Sequence, residues 1–261
     1  VAYDMNVEGK SVAIIDSREY GGTCALRGCV PKKVFTAIGE AADWADRLDG
    51  KGIEKGSLKI NWSDMQEFKS TFTEPFPANR RKGYEDAGIA TFDGTAKFLD
   101  EKTLQVGDSK LEADHIIIAT GSKPRPLSIP GSEHIITSEE FLKLDDIPER
   151  IVFTGGGYIS MEFAHVAALA GASVRVVHRS AQPLKPFDSD LVDLLVQGAR
   201  EKGIQFNLNT EVVGVEKSGG ELEVRTEADG KEESFAADLV VHGAGRVPQI
   251  NDLELEAGIV D

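Results

Sequence analysis

The sequence predicts an α/β fold of doubly wound parallel sheets, and three observations carry that prediction. Short apolar runs of strand length recur at 12–16, 115–121, 151–154 and 174–178. Between them lie segments whose apolar residues repeat at helical spacing, and strands alternating with helices pair in parallel. A run of three glycines at 155–157 joins one of these strands directly to a helix. With 261 residues, 41% of them hydrophobic, the chain is long enough to bury one large or two medium cores.

Taken in order, "VAIID" at 12–16 is a buried strand, and "CVPKKVFTAIGEAADWADRL" at 29–48 is a helix. Val34, Ile38, Ala42, Ala45 and Leu48 share a helical face there, and Pro31 suits a first helical position. "DGKGIEKGS" at 49–57 is a loop, and a second helix is expected from about Asp64 to Ala87. Alternating strands follow in "ATFDGTAKFL" and "TLQVG", then the apolar strand "HIIIATG" at 115–121. "SKPRPLSIPGSE", with three prolines, is a linker. Beyond it the pattern restarts: a strand at 151–154, the glycine turn, a helix to about Ala170, a strand at 174–178, a helix at 189–202 and strands ending in "DLVVHGAG".

Composition excludes several partners. Against 44 Asp+Glu stand 29 Lys+Arg, a formal charge of −15, so a nucleic-acid groove or an anionic membrane is not an expected partner. No apolar run approaches the ~18 residues of a membrane span, and "VAYDMNVEGK" has neither a basic leader nor an apolar signal core. The cytoplasm is therefore the expected compartment.

The strongest ligand signal is "IVFTGGGYISMEFAHVAALAGASVRVVHRS". An apolar strand runs into Gly155-Gly156-Gly157, a helix opens, and a second strand ends about 20 residues on, the setting of a Rossmann-like dinucleotide site. Gly155 permits the tight turn, Gly157 lets the backbone approach a pyrophosphate, and the helix start supplies amide donors. Ser160 fills the third fingerprint position, where a small residue allows close helix packing. A packing turn without a ligand is the plainer alternative. In the first half Asp16 ends its strand where an acidic side chain accepts a hydrogen bond from a ribose, although a solvated carboxylate would look the same. No G-x-G-x-x-G precedes it, so the expectation is of a fragment that starts inside its first βαβ unit.

Both cysteines lie in "GGTCALRGCVPKK", residues 21–33. As a staple, a disulfide across so short a loop would contribute only ~2 kcal/mol. As a metal site the pair lacks company, because His115, His134, His165, His178 and His242 are scattered. A redox pair suits the surroundings best: Cys29 opens a helix beside Lys32 and Lys33, where dipole and cations favour a thiolate.

Together "GGTCALRGCVPKK", Asp16, "ATGSKP", "GGGYISMEF" and "GAGRVPQIN" resemble the flavin-dependent pyridine-nucleotide–disulfide oxidoreductases, the family of glutathione reductase, dihydrolipoamide dehydrogenase and mercuric reductase. The resemblance runs in order over nearly the whole chain. It implies two Rossmann-like nucleotide-binding domains: an FAD domain over 1–121 that resumes at 243–261, and an NAD(P) domain inserted at 122–242. It implies FAD and NADP as cofactors, a small disulfide as substrate, and a homodimeric parent protein.

By the same resemblance Cys29 faces the flavin as the charge-transfer thiolate, buried beside it, and Cys24 exchanges with substrate. The two would form a disulfide under oxidising conditions. Lys32 pairs with Glu162 across the domain boundary, with Lys33 as the alternative partner, and Tyr158 gates the flavin. Gly22, Thr23, Ala119, Thr120, Gly121, Ile159, Gly245 and Arg246 fall at cofactor-binding positions with Asp16, Gly155 and Gly157. "SVRVV" ends in His178 followed by Arg179, with Lys185 further on. A basic site there, in place of an acidic residue, points to NADPH rather than NADH.

Family members also carry an amino-terminal glycine turn, a later G-D motif and a dimer domain with a His–Glu pair. These patterns are not found in the 261 residues, so the chain alone is expected to hold little FAD and to be inactive. "CVPKKV" favours a glutathione reductase-like substrate. The competing function is a non-catalytic NADP-binding module whose thiols act as sensors.

Overall fold

A computed structural model describes residues 1–56 and 58–260. By contact the chain forms two compact units, one of Val1–Val30, Thr71–Lys123 and Val247–Asp261 and the other of Pro31–Ser70 and Pro124–Arg246. The expected ligand-binding domains divide at 121 and 242; contact groups 31–70 with 124–246.

The first unit opens with α1 (Ala2–Val7), whose Asn6 donates from Nδ2 to the Ala87 carbonyl at 2.8 Å. β1 (Ala13–Asp16) is followed by α2 (Gly22–Leu26), a five-residue helix the sequence did not announce, and by α3 (Cys29–Arg47), which runs on into the second unit. Pro31 is the third residue of α3 rather than its first. After the loop expected at 49–57, whose Ser57 lies outside the described residues, come α4 (Trp62–Thr73) and α5 (Phe76–Asp86). The single helix expected over Asp64 to Ala87 is thus two. Pro75 has no N–H to continue the ladder and its ring disfavours helical geometry at Glu74.

β2 (Ala90–Asp93) pairs in parallel with β1, from Ala13 opposite Ala90 to Asp16 opposite Asp93. Gly94, at φ +143°, ends it and frees β3 (Ala96–Phe98) to join β4 (Thr103–Val106) and β5 (Ser109–Glu112) in an antiparallel meander. Phe98, Leu104 and Leu253 form the core here, with Ile15 and Ile116 against it. The apolar run 115–121 is not a strand, which corrects the sequence expectation. Among the described residues the parallel sheet of this unit has only β1 and β2, and Ile117 is 67% exposed. Apolar side chains alone do not make a strand, because its backbone groups need a neighbouring strand.

Strand β6 (Ser122–Pro124) leads into the second unit. There β7 (Ile135–Ile136) precedes α6 (Ser138–Phe141), which Thr137 caps reciprocally with Glu140. β8 (Arg150–Thr154), α7 (Tyr158–Leu169), β9 (Ser173–His178), α8 (Ser189–Glu201) and β10 (Gln205–Leu208) then alternate. An antiparallel meander of β11 (Glu211–Ser218), β12 (Glu221–Ala228) and β13 (Lys231–Ala237) leads to β14 (Leu239–His242), and β15 (Arg246–Pro248) follows.

The central sheet is parallel throughout, in the order β10-β9-β8-β14-β7. Its strands read as apolar runs because both faces are covered. Ile151 and Phe153 enter one core with Phe141, Phe163, Val174, Val176 and Val241. Val152 points the other way, to a core with Val177, Val240 and Val224 of the meander. Each such side chain contributes about 1.5–3 kcal/mol by leaving water. α7 is apolar nearly all round, with Met161, Phe163, Ala164, Val166 and Ala167 buried. From α4, Trp62 Nε1 and Gln66 Nε2 both donate to the Leu144 carbonyl at 2.7 Å. This is a Rossmann-like α/β unit whose strand order reverses between β8 and β14, the place where such sheets take a ligand.

Candidate functional site

In the first unit the two thiols are held by a backbone that few side chains would permit. Gly21 and Gly22 take φ of +144° and +63°, turning the chain from β1 into α2. A Cβ on Gly21 would lie 2.9 Å from Phe76 Cδ1. The α2 helix carries Cys24, and the Arg27 N–H donates to the Thr23 carbonyl at 2.9 Å to close it. Gly28 then passes so near that an added Cβ would lie 3.0 Å from the Thr23 carbonyl oxygen. Cys29 starts α3.

That path brings the sulfurs into hydrogen-bond contact, with both cysteines free and exposed. The hydrogen bond to Cys29 is the main reason the Cys24 thiol titrates above the ordinary thiol range, with burial and the charge of Cys29 adding to it. Cys24 therefore holds its proton more tightly than an ordinary thiol. The sequence expected one sulfur buried beside a flavin; the chain by itself buries neither.

Elsewhere in this unit Asp16 ends β1, and its Oδ1 accepts the Arg18 N–H at 3.0 Å, which fixes the carboxylate. A carboxylate held at a strand end fits a ribose hydroxyl donor. Gly22 and Thr23 form the turn before Cys24, while Ala119, Thr120 and Gly121 are exposed, with Gly121 at φ +72°. A cavity of roughly 400 Å³ is lined by Arg18, Tyr20, Pro77, Arg81 and Asp93.

In the second unit Lys32 and Glu162 form an ion pair, Lys32 Nζ to Glu162 Oε2. The Lys32 ammonium also stands 5.2 Å from the Tyr158 ring centre. Lys33, the alternative partner, is exposed on α3. Tyr158 is 55% exposed at the start of α7. The carboxylate and the ring come from the first two turns of α7, so one helix start presents both.

The glycine turn sits at the carboxyl end of β8. Gly155 adopts φ +97°, and a Cβ there would strike the Gly243 carbonyl at the end of β14. Gly243 in turn packs on Ser160, whose hydroxyl is buried without a hydrogen-bond partner among the described residues. Gly157 is the N-cap of α7 with no side-chain cap, so the amides that follow, from Tyr158 and Ile159, receive no acceptor from the cap residue. This donor set fits a pyrophosphate. Gly245 (φ +105°) and Arg246 follow β14. At the end of β9, Arg179 and Lys185 are exposed and both act electrostatically on His178.

Two contributors escaped the sequence reading. Gly243 is needed for the close approach to Gly155, and "HGAG" after a strand was its only trace. Gly156 is bound on both of its backbone groups, by His178 at the end of β9 and by Leu184 of the loop that follows, a long-range fact with no local signal. Among the described residues no three His, Cys, Asp or Glu side chains gather to hold a metal ion, and no helix is long and apolar enough to cross a membrane.

Comparison with known proteins agrees with this geometry. A glutathione reductase from Nostoc sp. is 32% identical over 97% of this chain and 55% of its own length. A dihydrolipoyl dehydrogenase from Haloferax volcanii is 31% identical over 95% of this chain and 54% of its own. The chain thus spans about half the length of the curated relatives it matches. The HOCl-induced flavoprotein disulfide reductase RclA from Escherichia coli superposes over 100% of this chain and 57% of its own with a TM-score of 0.86; at 23% identity that likeness speaks for the fold alone. The sequence profile described as pyridine nucleotide-disulphide oxidoreductase matches residues 1–260, and the chain belongs to that family.

Proposed function

We propose that this chain carries the electron path of an NADPH-dependent flavin disulfide reductase with a small disulfide substrate, and that Cys24 and Cys29 pass the reducing equivalents on. The observation that carries this reading is the hydrogen-bonded pair of thiols, the two cysteines of these 261 residues, on a turn shaped by Gly21, Gly22 and Gly28. When bound, NADPH and FAD supply the hydride and electron transfer, which protein side chains cannot perform.

The chain's own residues bind, orient and hold protons. Asp16 takes the ribose of FAD and the turn at Gly155–Gly157 takes the pyrophosphate of the nicotinamide cofactor. Lys32, held by Glu162, provides a fixed positive charge, and Tyr158 covers or opens the site above it. The contact with Cys29 raises the Cys24 thiol above the ordinary thiol range. Attack by the Cys24 thiolate on a substrate disulfide, once a base has taken its proton, breaks the S–S bond to leave a mixed disulfide on Cys24 and the first substrate thiol; attack by Cys29 on the Cys24 sulfur then closes the Cys24–Cys29 disulfide and releases the second.

NADPH is favoured over NADH by the cations after β9. Arg179 offers a planar fork for a 2′-phosphate and Lys185 a second charge, whereas an NAD-selective site ends this strand with a carboxylate. Parallel titrations with NADP⁺ and NAD⁺ test this. NADP⁺ should bind at least tenfold more tightly, and Arg179→Glu should abolish the difference. Equal affinities in the unaltered chain would remove the assignment.

A further inference from the structure

We infer that His178 is a positioning residue that clamps the glycine turn, holding Gly156 through an unprotonated Nδ1, so that dinucleotide binding here depends on a neutral imidazole. This rests on the reading of the Gly155–Gly157 turn as the dinucleotide site. The Gly156 N–H donates to His178 Nδ1 at 3.0 Å, and His178 Nε2 lies 3.1 Å from the Gln182 carbonyl oxygen. An amide N–H can only donate and a carbonyl can only accept, so both ring positions are fixed: Nδ1 is bare and Nε2 carries the proton.

The same loop grips the other side of Gly156. Leu184, at φ +53°, donates its N–H to the Gly156 carbonyl at 2.9 Å. A Cβ on Gly156 would lie 2.6 Å from Pro183 Cβ and 3.1 Å from His178 Cγ, so the turn is closed by the loop. Gln182 is in turn tied to α8, its Nε2 donating to the Ser189 carbonyl at 3.0 Å and to Asp193 Oδ1 at 2.9 Å. The clamp thus runs from α8 through Gln182 and His178 to the turn. Both of His178's polar positions are engaged inside the protein, which leaves phosphate contact to Arg179 and Lys185.

The surroundings keep the ring uncharged. Burial is the main cause that pushes His178 below the ordinary histidine range, the Gln182 carbonyl opposes it, and the Lys185 and Arg179 cations reinforce it. On α8, Asp193 is engaged by Gln182, the charged groups acting on the ring are Lys185 and Arg179, and the turn itself presents no titratable side chain. A second proton on the ring would set two donors against each other at Gly156 and release the turn.

The test uses the full chain, His178→Asn and His178→Leu, with NAD⁺ as probe because it lacks a 2′-phosphate that would itself titrate. Asparagine can place Oδ1 where Nδ1 stood; leucine cannot. From pH 8 to 5.5 the unaltered chain should lose NAD⁺ affinity about threefold or more. His178→Asn should stay within threefold of it at pH 8 and show no such loss on acidification. His178→Leu should bind about tenfold more weakly at both values, the cost of an unpaired buried donor, and its Gly156 amide should exchange with solvent about tenfold faster. An affinity that rises as the histidine protonates, or asparagine behaving like leucine, would overturn the proposal. If the unaltered chain binds no dinucleotide, the reading of the site fails, and Gly156 amide exchange in the three proteins still decides the clamp: protection kept by asparagine and lost by leucine supports it, and equal protection in all three refutes it.

Discussion

Replacing Gly155 and Gly157 separately by alanine should divide the fold of the glycine turn from its use. At Gly155 the backbone stands at φ +97°, where an L side chain costs about 1–2 kcal/mol. The new methyl would also strike the Gly243 carbonyl, backbone that must shift bodily, and overpacking of this kind adds about 1–3 kcal/mol. Gly155→Ala should therefore destabilise by about 2–5 kcal/mol. At roughly 2–4 °C per kcal/mol for a domain of this size, the melting temperature should fall by about 4–20 °C. At Gly157 φ is −81° and the added Cβ would meet Gly243 O at 3.5 Å, an ordinary contact. The weaker helix cap is offset by the stiffer unfolded chain, so Gly157→Ala should change stability by no more than about 0.5 kcal/mol. A side chain there stands at the N-cap of α7, where the proposed pyrophosphate site needs a close backbone approach, and NADP⁺ affinity should drop at least tenfold. Differential scanning calorimetry and isothermal titration of the same preparations give both numbers. A Gly157→Ala protein that binds NADP⁺ normally, or a Gly155→Ala protein with an unchanged melting temperature, would refute the geometry argued for this turn.

Two further outcomes are expected. Because Cys29 raises the titration of Cys24, Cys29→Ala should move the pH profile of Cys24 alkylation by iodoacetamide to lower pH; an unmoved profile would show that the thiols do not interact. A double-mutant cycle with Lys32→Met and Glu162→Gln, read by urea unfolding, should give a coupling of about 1 kcal/mol. That value is moderate because the Lys32 side chain is 17% exposed but that of Glu162 is 39% exposed. Additivity within about 0.3 kcal/mol would mean that the pair contributes nothing.

Strands 151–154 and 174–178 and the helices that open at Cys29, Tyr158 and Ser189 were legible because each is decided by local pattern. An apolar run flanked by turn residues, a 3.6-residue period or a glycine run between strand and helix is written in consecutive residues. The G-G-T-C-x4-G-C spacing and the strand–glycine–helix order belong to the same class, since both depend on neighbours a few residues apart. Where the local pattern misled, a single residue or a missing neighbour decided: Pro75 divided an expected helix, and 115–121 formed no strand despite its apolar side chains.

Sequence by itself determined the class of fold, the pairing of the two cysteines in one short segment and the place of the glycine turn. Tertiary structure decided the rest. It chose Lys32 over Lys33 for Glu162, because only folding sets which face of α3 meets α7. It placed Gly243, just after β14, against Gly155, just after β8 and far away in the chain. It also turned His178 inward to Gly156. A side chain's partner across a fold is fixed by distances that no run of neighbouring residues encodes, whereas helix, strand and turn follow from steric and hydrogen-bond constraints each residue carries with it.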